Sequence, residues 1–331
     1  MERFSAQSRD ANQAPPQVQQ ATVTTTARLH FGFLDPSGRG KDPFGSFGLS
    51  IDRPRTKLTL EPAPDFMVSG AERDLVERYL RSIAEICGVR QAYALRIEEA
   101  IPPHAGLGSG TQLALAVGSA FAAVESIRLS PQEIAARLQR GTRSGIGIAT
   151  FAQGGAVLDA GPCQGKLPEL VARVPFPPHW RVLLILDASY SGLAGASERA
   201  AFEILPNFPE SESEALRQRI TERALPALAA GDFKTFCEEI GYLQSCMGSY
   251  YAPVQGGAYA SPRVSQVLDW LRSKGLTGLG QSSWGPTGFA FARSEAEGSA
   301  LLQEAQARHS RPGLGFSLAQ GNNEGAKIET G

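Results

Sequence analysis

The chain has 331 residues, with 32 lysines and arginines against 33 aspartates and glutamates and a formal net charge of −1. That length allows two lobes with substantial buried cores, while the charge balance offers no general attraction to nucleic acid or an anionic membrane. The most apolar stretch, Leu113 to Val124, is too short to span a bilayer and no secretory leader is legible. Cys87, Cys163, Cys237 and Cys246 are scattered without metal-ligand spacing. A cytoplasmic protein with packing cysteines, no membrane partner and no nucleic-acid partner is expected.

Residues 1–21, glutamine-rich with Pro15-Pro16, read as a solvated tail. Thr22 to Phe33 reads as a strand, followed by a Gly/Pro-rich loop and a second strand pattern from Leu49 to Leu60. Leu75, Tyr79, Leu80 and Ile83 space a helix over 71–87, and 92–97 is strand-like. After it, Pro103-His104-Ala105-Gly106-Leu107-Gly108-Ser109-Gly110-Thr111-Gln112 opens directly into an apolar helix through Val124. A short helix over 131–139 has Ser130 at its N-cap. Strands are expected at 156–158 and 180–186, with a lobe boundary near 175–180, so that residues 22–178 form one lobe and 179–320 the other. Helices at 212–230, 233–250, 263–273 and 295–307 and strands at 289–292 and 315–318 complete an α+β second lobe, and 321–331 reads as a flexible tail.

The loop at 103–112 carries the most chemical information. A helix N-terminus presents unpaired N–H groups and the positive end of the dipole, which favours an anion such as phosphate. Gly106, Gly108 and Gly110 permit close backbone approach, while Ser109 and Thr111 add hydroxyl donors. A tight turn that merely starts a core helix is the competing reading. The Walker A pattern and its lysine are missing, as is G-x-G-x-x-G.

Three segments together resemble the GHMP superfamily over roughly residues 22–318: Ala27-Arg28-Leu29-His30-Phe31-Gly32, the loop from Pro103 to Gln112, and Gly278 to Gly288 with Gln281-Ser282-Ser283-Trp284-Gly285 at its centre. The resemblance implies a two-lobed α+β kinase-like fold. A GHMP kinase carries a second serine in its G-L-G-S-S-A type loop, which helps hold magnesium, and many carry a catalytic aspartate in an S-G-I-D type segment. Here Gly110 and Gly147 stand at those two places. Within the superfamily the three segments are similar to the β-ribofuranosylaminobenzene 5′-phosphate synthase family. That likeness implies a decarboxylating C-glycosyltransferase, joining phosphoribosyl diphosphate to 4-aminobenzoate or 4-hydroxybenzoate on the route to tetrahydromethanopterin-type one-carbon carriers. It also implies Mg2+ held mainly by the substrate's diphosphate, small-molecule partners, and room for a homodimer. A GHMP-type small-molecule kinase with another carboxylate as base, Asp35 or Asp159, and a non-catalytic phosphosugar- or nucleotide-binding member are the rival readings.

Candidate roles follow. Arg28 and His30 alternate to one face of a strand, and either line a pocket as a carboxylate or phosphate clamp and a hydrogen-bonding group, or decorate an exposed face. Asp35, on a loop with Gly38, Arg39 and Lys41, either stabilises cationic ribose or magnesium, or makes an Asx turn before Pro36. Gly106, Gly108, Ser109, Gly110, Thr111, Gln112, Arg143 and Ser144 are the diphosphate and phosphate candidates. Gln281, Ser282, Ser283 and Trp284 suit a flat aromatic acid, with burial of Trp284 as plain core the alternative. No metal ligands are assignable.

Overall fold

The computed structural model describes residues 18–39, 44–162, 165–193 and 195–331. In chain order the elements are β1 (Ala21–Thr24), β2 (Ala27–Asp35), β3 (Phe44–Ile51), β4 (Lys57–Ala63), β5 (Met67–Ser69), α1 (Arg73–Ile86), β6 (Ala92–Glu99), α2 (Ser109–Val124), α3 (Pro131–Arg137), α4 (Ile146–Gln153), β7 (Ala156–Asp159), β8 (Leu170–Val174) and β9 (Arg181–Asp187). They continue with α5 (Ala196–Ile204), α6 (Glu210–Arg219), α7 (Leu225–Ala230), α8 (Phe233–Gln255), α9 (Pro262–Ser273), β10 (Leu279–Gln281), β11 (Gly288–Ala292), α10 (Glu295–His309), β12 (Leu314–Ala319) and β13 (Lys327–Thr330), a π-helical turn joining α6 to α7.

Three sheets form, in the orders β13-β1-β4-β6-β5, β2-β3-β7-β8 and β10-β11-β9-β12. The chain passes from the first to the second between β1 and β2 and back between β3 and β4, where the sequence reads as single strands. Thr25 and Thr26 separate β1 from β2, and Pro54 falls between β3 and β4. The two crossings are tied together, since Thr25 N–H donates to the Thr56 carbonyl (2.8 Å) and Thr56 N–H donates to Thr25 Oγ1 (3.1 Å). Proline withholds a ladder donor, which a strand can accommodate only at its edge or end.

Helix α2 is buried on nearly every side, against β1, β4, α1, α3 and α4. Its neighbour α3 begins as expected at Ser130, with a complete capping box through Glu133. A second core unites β2, β3, β9 and β11 with α6, α7 and α8, and includes Ala105 and Leu107 of the loop ahead of α2. This core spans the junction between lobes, so the loop is anchored from both sides. No helix among the described residues is long and apolar enough to cross a membrane.

Both expected tails need correction. Residues 1–17 lie outside the described residues, but Ala21 already begins β1, paired on one side to β4 and on the other to β13. The C-terminal residues return to the first lobe. Asn322 N–H donates to the Ser50 carbonyl (2.9 Å), Ala326 N–H to the Phe151 carbonyl (2.7 Å), and β13 closes the sheet edge. All four residues of β13 are exposed, so its backbone pairing, and no apolar pattern, holds it in place.

Candidate active site

The three segments singled out by sequence meet at one point. Arg28 N–H donates to the Leu107 carbonyl (3.1 Å), and Arg28 Nη1 and Ser282 Oγ both donate to the Gly106 carbonyl. Ser282 Oγ in turn accepts from His30 N–H (3.0 Å), and Ser283 N–H donates to the His30 carbonyl (3.0 Å). Gly106, at φ +73°, lies so near the far lobe that a Cβ there would sit 2.3 Å from the Ser282 carbonyl oxygen. Ser282 is fully buried in this junction, which corrects its assignment as a substrate contact.

Beside the junction opens a cavity of about 830 Å³, lined by Arg28, Gly106, Gly108, Ser109, Gly110 and Thr111 together with Ser283 and Trp284. That size falls in the range of about 300–1,000 Å³ common for ligand sites. Gly108, at φ +84°, takes the N-cap position of α2 without a side-chain cap, and the first turn holds no acidic residue. The N-terminal field of α2 is therefore left for a ligand. The same cavity is lined by Arg73, Arg78 and Arg140, which sequence reasoning does not select. Arg140 faces the helix start: a Cβ on Gly110 would lie 3.3 Å from its Nη2. The guanidinium packs over the Tyr79 ring and donates to its hydroxyl, while Nε is buried with no hydrogen-bond partner among the described residues. Burial, and then the charge of Arg78, lower its pKa. Arg140 lies past the C-cap of α3, where no periodic signal reaches it, and only Gly110, the missing side chain opposite it, marks the place in sequence. Arg28, its pKa lowered to about 10 mainly by burial, remains cationic at neutral pH.

Behind Ser283 and Trp284, which line both spaces, lies a small slot of about 20 Å³ bordered by His30, Phe33, Met247, Tyr251 and Gln281. A bulge in β2 at Phe31 lets the consecutive residues His30 to Phe33 all border this slot, while Arg28, two residues before His30 and in unbroken register with it, lines the large cavity. Burial, and then the Arg28 charge, depress the His30 imidazole to about 3. A pH dependence follows. The unfolded chain binds a proton at His30 near pH 6.5 and the folded one does not, so this contribution is complete above 6.5 and is lost toward pH 3. The slope approaches ~1.4 kcal/mol per pH unit for one proton. Urea unfolding at pH 7 and pH 4.5 should show a larger loss for wild type than for His30→Gln; equal losses would mean that His30 titrates normally.

Several expected ligands are held elsewhere. Gln112 is buried with Nε2 donating to the Gly147 carbonyl (2.8 Å), a tie between α2 and α4. Ser144 bonds Ser46 Oγ (2.7 Å) and Asp159, and Arg143 pairs with Glu198 (3.0 Å), which itself lines the large cavity. None of the three lines that cavity. Asp35 accepts from Ser37 N–H (3.1 Å) and Oγ (2.6 Å), the turn alternative, and also stands outside the cavity lining; Lys41 on the same loop lies outside the described residues. Asp159, the other rival base, is buried and accepts from Ser46 and from the N–H groups of Gly145 and Gly161, fixing the start of α4. Gln281 is occupied with Ala260 N–H and the Ser283 carbonyl and shapes the slot wall. Trp284 is buried, donates to Glu198 Oε1 (3.2 Å), and stacks 4.3 Å from Tyr251.

No group of three or more His, Cys, Asp or Glu among the described residues is placed to hold a metal. Gly110 supplies no hydroxyl, and the Glu198 carboxylate is engaged by Arg143 and Trp284. Glu72 and Asp74 also line the cavity, but with no third carboxylate or imidazole grouped with them among the described residues this donor set does not fit a magnesium held by the protein alone.

The sequence matches the family described as GHMP kinases N terminal domain over residues 74–155 and as GHMP kinases C terminal over 224–311, together just over half of the chain. The fold agrees. A homoserine kinase from Cytophaga hutchinsonii superposes with a TM-score of 0.66 at 16% identity, covering 96% of this chain and 99% of that one. Mevalonate diphosphate decarboxylase from Staphylococcus aureus gives 0.64 at 13%, covering 94% and 98%. The chain belongs to the GHMP kinase superfamily, and is an enzyme of it. Its curated relatives include the β-ribofuranosylphenol 5′-phosphate synthases of Methanothermobacter thermautotrophicus, 28% identical over 80% of this chain and 86% of that one, and of Archaeoglobus fulgidus, 28% identical over 83% and 89%.

Proposed function

We propose that the chain joins the phosphoribosyl group of phosphoribosyl diphosphate to a para-substituted benzoate, releasing CO2 and diphosphate. The observation that carries this reading is the large cavity, where an uncapped helix N-terminus is faced by Arg140 with Arg78 and Arg73 nearby; glycine stands at 110 and 147, where the resemblance to GHMP kinases implies a serine and a catalytic aspartate. The relatives are named for a ribofuranosylphenol 5′-phosphate, and a phenol product calls for an acceptor ring bearing a hydroxyl group. We therefore take 4-hydroxybenzoate as acceptor ahead of 4-aminobenzoate.

The chemistry suits these side chains. Departure of diphosphate with its bonding pair leaves an oxocarbenium-like ribose C1, which the ring carbon bearing the carboxylate attacks. Loss of CO2 then returns the pair to the ring, so the reaction closes without net proton transfer. What the protein must supply is charge neutralisation at the diphosphate and alignment of two reactants away from water. The N–H groups opening α2, the hydroxyls of Ser109 and Thr111 and the guanidinium of Arg140 meet the diphosphate; magnesium enters as its counter-ion, part of the substrate. In this reading the product enters synthesis of a tetrahydromethanopterin-type carrier.

Purified protein given phosphoribosyl diphosphate and 4-hydroxybenzoate should release CO2 and diphosphate in equal amounts, and no ADP should form from ATP with small alcohols. Gly147→Asp alone should not create a kinase, because a Cβ at 147 would already stand 3.0 Å from Thr111 Cγ2. Sustained ATP-dependent phosphorylation, or saturable binding without turnover, would replace this reading with one of its rivals.

A further inference from the structure

The slot behind Trp284 is lined by two buried polar side chains without a hydrogen-bond partner among the described residues. His30 is 3% exposed and Tyr251 6%, and neither ring nitrogen of His30 nor the Tyr251 hydroxyl has a hydrogen-bond partner among the described residues. Buried polar groups are nearly always satisfied, so two orphans lining one small space point to a ligand group that completes them. The imidazole is neutral, hence offers one donor and one acceptor nitrogen, and burial raises the Tyr251 pKa so that its hydroxyl keeps its proton. What satisfies the pair is a small group that both donates and accepts. The remaining lining mixes rings with amides already engaged: Phe33 packs tilted on His30 at 4.7 Å and Trp284 on Tyr251, while Gln281 is bonded to Ala260 N–H and the Ser283 carbonyl, and Gln244 to Gln281 N–H and the Phe31 carbonyl.

Resting on the transferase reading above, we propose that this slot receives the para hydroxyl of the aromatic acceptor, with His30 and Tyr251 as its specificity determinants. The volume of about 20 Å³ suits one substituent of about the size of a water and not a whole ring. The ring then lies along Trp284 and Ser283, the wall shared with the large cavity. Because the carboxyl-bearing carbon is opposite the hydroxyl, anchoring the hydroxyl in the slot turns that carbon toward the large cavity, where the ribose C1 is delivered. His30 accepting the hydroxyl hydrogen bond also raises electron density at the attacking carbon during C–C bond formation. The proton stays on oxygen throughout, since the buried imidazole, depressed to about 3, accepts a hydrogen bond without taking the proton.

The test is isothermal titration of wild type, Tyr251→Phe and His30→Gln with 4-hydroxybenzoate, 4-methoxybenzoate and benzoate, alongside CO2 release and circular dichroism of each variant. Wild type should bind 4-hydroxybenzoate at least tenfold more tightly than either analogue. Tyr251→Phe, which keeps the ring and its stacking, should bring that ratio below threefold through the hydroxybenzoate term alone, with KM rising more than kcat falls. His30→Gln should lower kcat as well. Unchanged selectivity in a folded Tyr251→Phe that still releases CO2 overturns the slot assignment while leaving the transferase reading intact. Absence of CO2 from wild type with every benzoate defeats the transferase reading, and retained hydroxyl-selective binding in that case would still support the slot.

Discussion

Arg140→Ala is expected to weaken binding of phosphoribosyl diphosphate by about a hundredfold, within the ~1.5–3 kcal/mol that a hydrogen bond to a charged group contributes. The guanidinium stands over the start of α2, 3.3 Å from where a Gly110 side chain would begin, with its Nε buried and unpartnered among the described residues. In a GHMP kinase that place belongs to a serine hydroxyl which helps hold magnesium; here its removal leaves space for a cation fixed to the protein. Arg140→Lys should recover little, because an ammonium cannot reproduce the planar fork that meets two phosphate oxygens. Arg137→Ala, at the last turn of α3 beside Glu133 and outside the cavity lining, should leave affinity unchanged. Titration with phosphoribosyl diphosphate and with inorganic diphosphate, plus a melting curve for each variant, decides the point. Unaltered affinity in a folded Arg140→Ala would place the diphosphate elsewhere.

How much of this is legible in sequence depends on which signal each element carries. Helix α2 and its glycine loop are readable because the local pattern and the tertiary role coincide: an apolar helix and a turn whose glycines at 106 and 108 adopt positive φ. Helix α4 escapes such a reading because its eight residues, six of them buried in succession from Ile146 to Phe151, are too few to show a helical run, whereas the equally buried α2 runs for sixteen. Strand β13 escapes it for the opposite reason, being exposed throughout and held by backbone pairing that no side chain announces. Within the site, residue type is a good guide to position and a poor one to role. Arg28, Gly106, Gly108, Ser109, Gly110 and Thr111 all line the large cavity, yet Gln112, Ser144 and Ser282 spend their polar groups inside the protein. Arg140, past the C-cap of α3, and Tyr251, inside α8, belong to none of the three motif segments, so only the three-dimensional arrangement joins them to the site.

Gly106→Ala is expected to cost about 4 kcal/mol of stability and to abolish diphosphate binding, through a steric conflict that cannot be relieved locally. Holding alanine in the left-handed region costs roughly 1–2 kcal/mol, and overpacking adds about 1–3 more. The added Cβ would stand 2.3 Å from the Ser282 carbonyl oxygen and 2.9 Å from that of Gly285, both backbone atoms of the segment arriving from the second lobe. Moving Gly106 away pulls its own carbonyl from Arg28 and from Ser282 Oγ, the bonds that hold the three motif segments together. Gly88 provides the control. It has φ +70° but nothing within 4 Å of the place a methyl group would take, so Gly88→Ala should show the backbone strain alone. Urea unfolding and titration with inorganic diphosphate on both variants separate the two contributions. A Gly106→Ala protein no less stable than Gly88→Ala, and still binding diphosphate, would show that the junction yields and does not set the geometry of the loop.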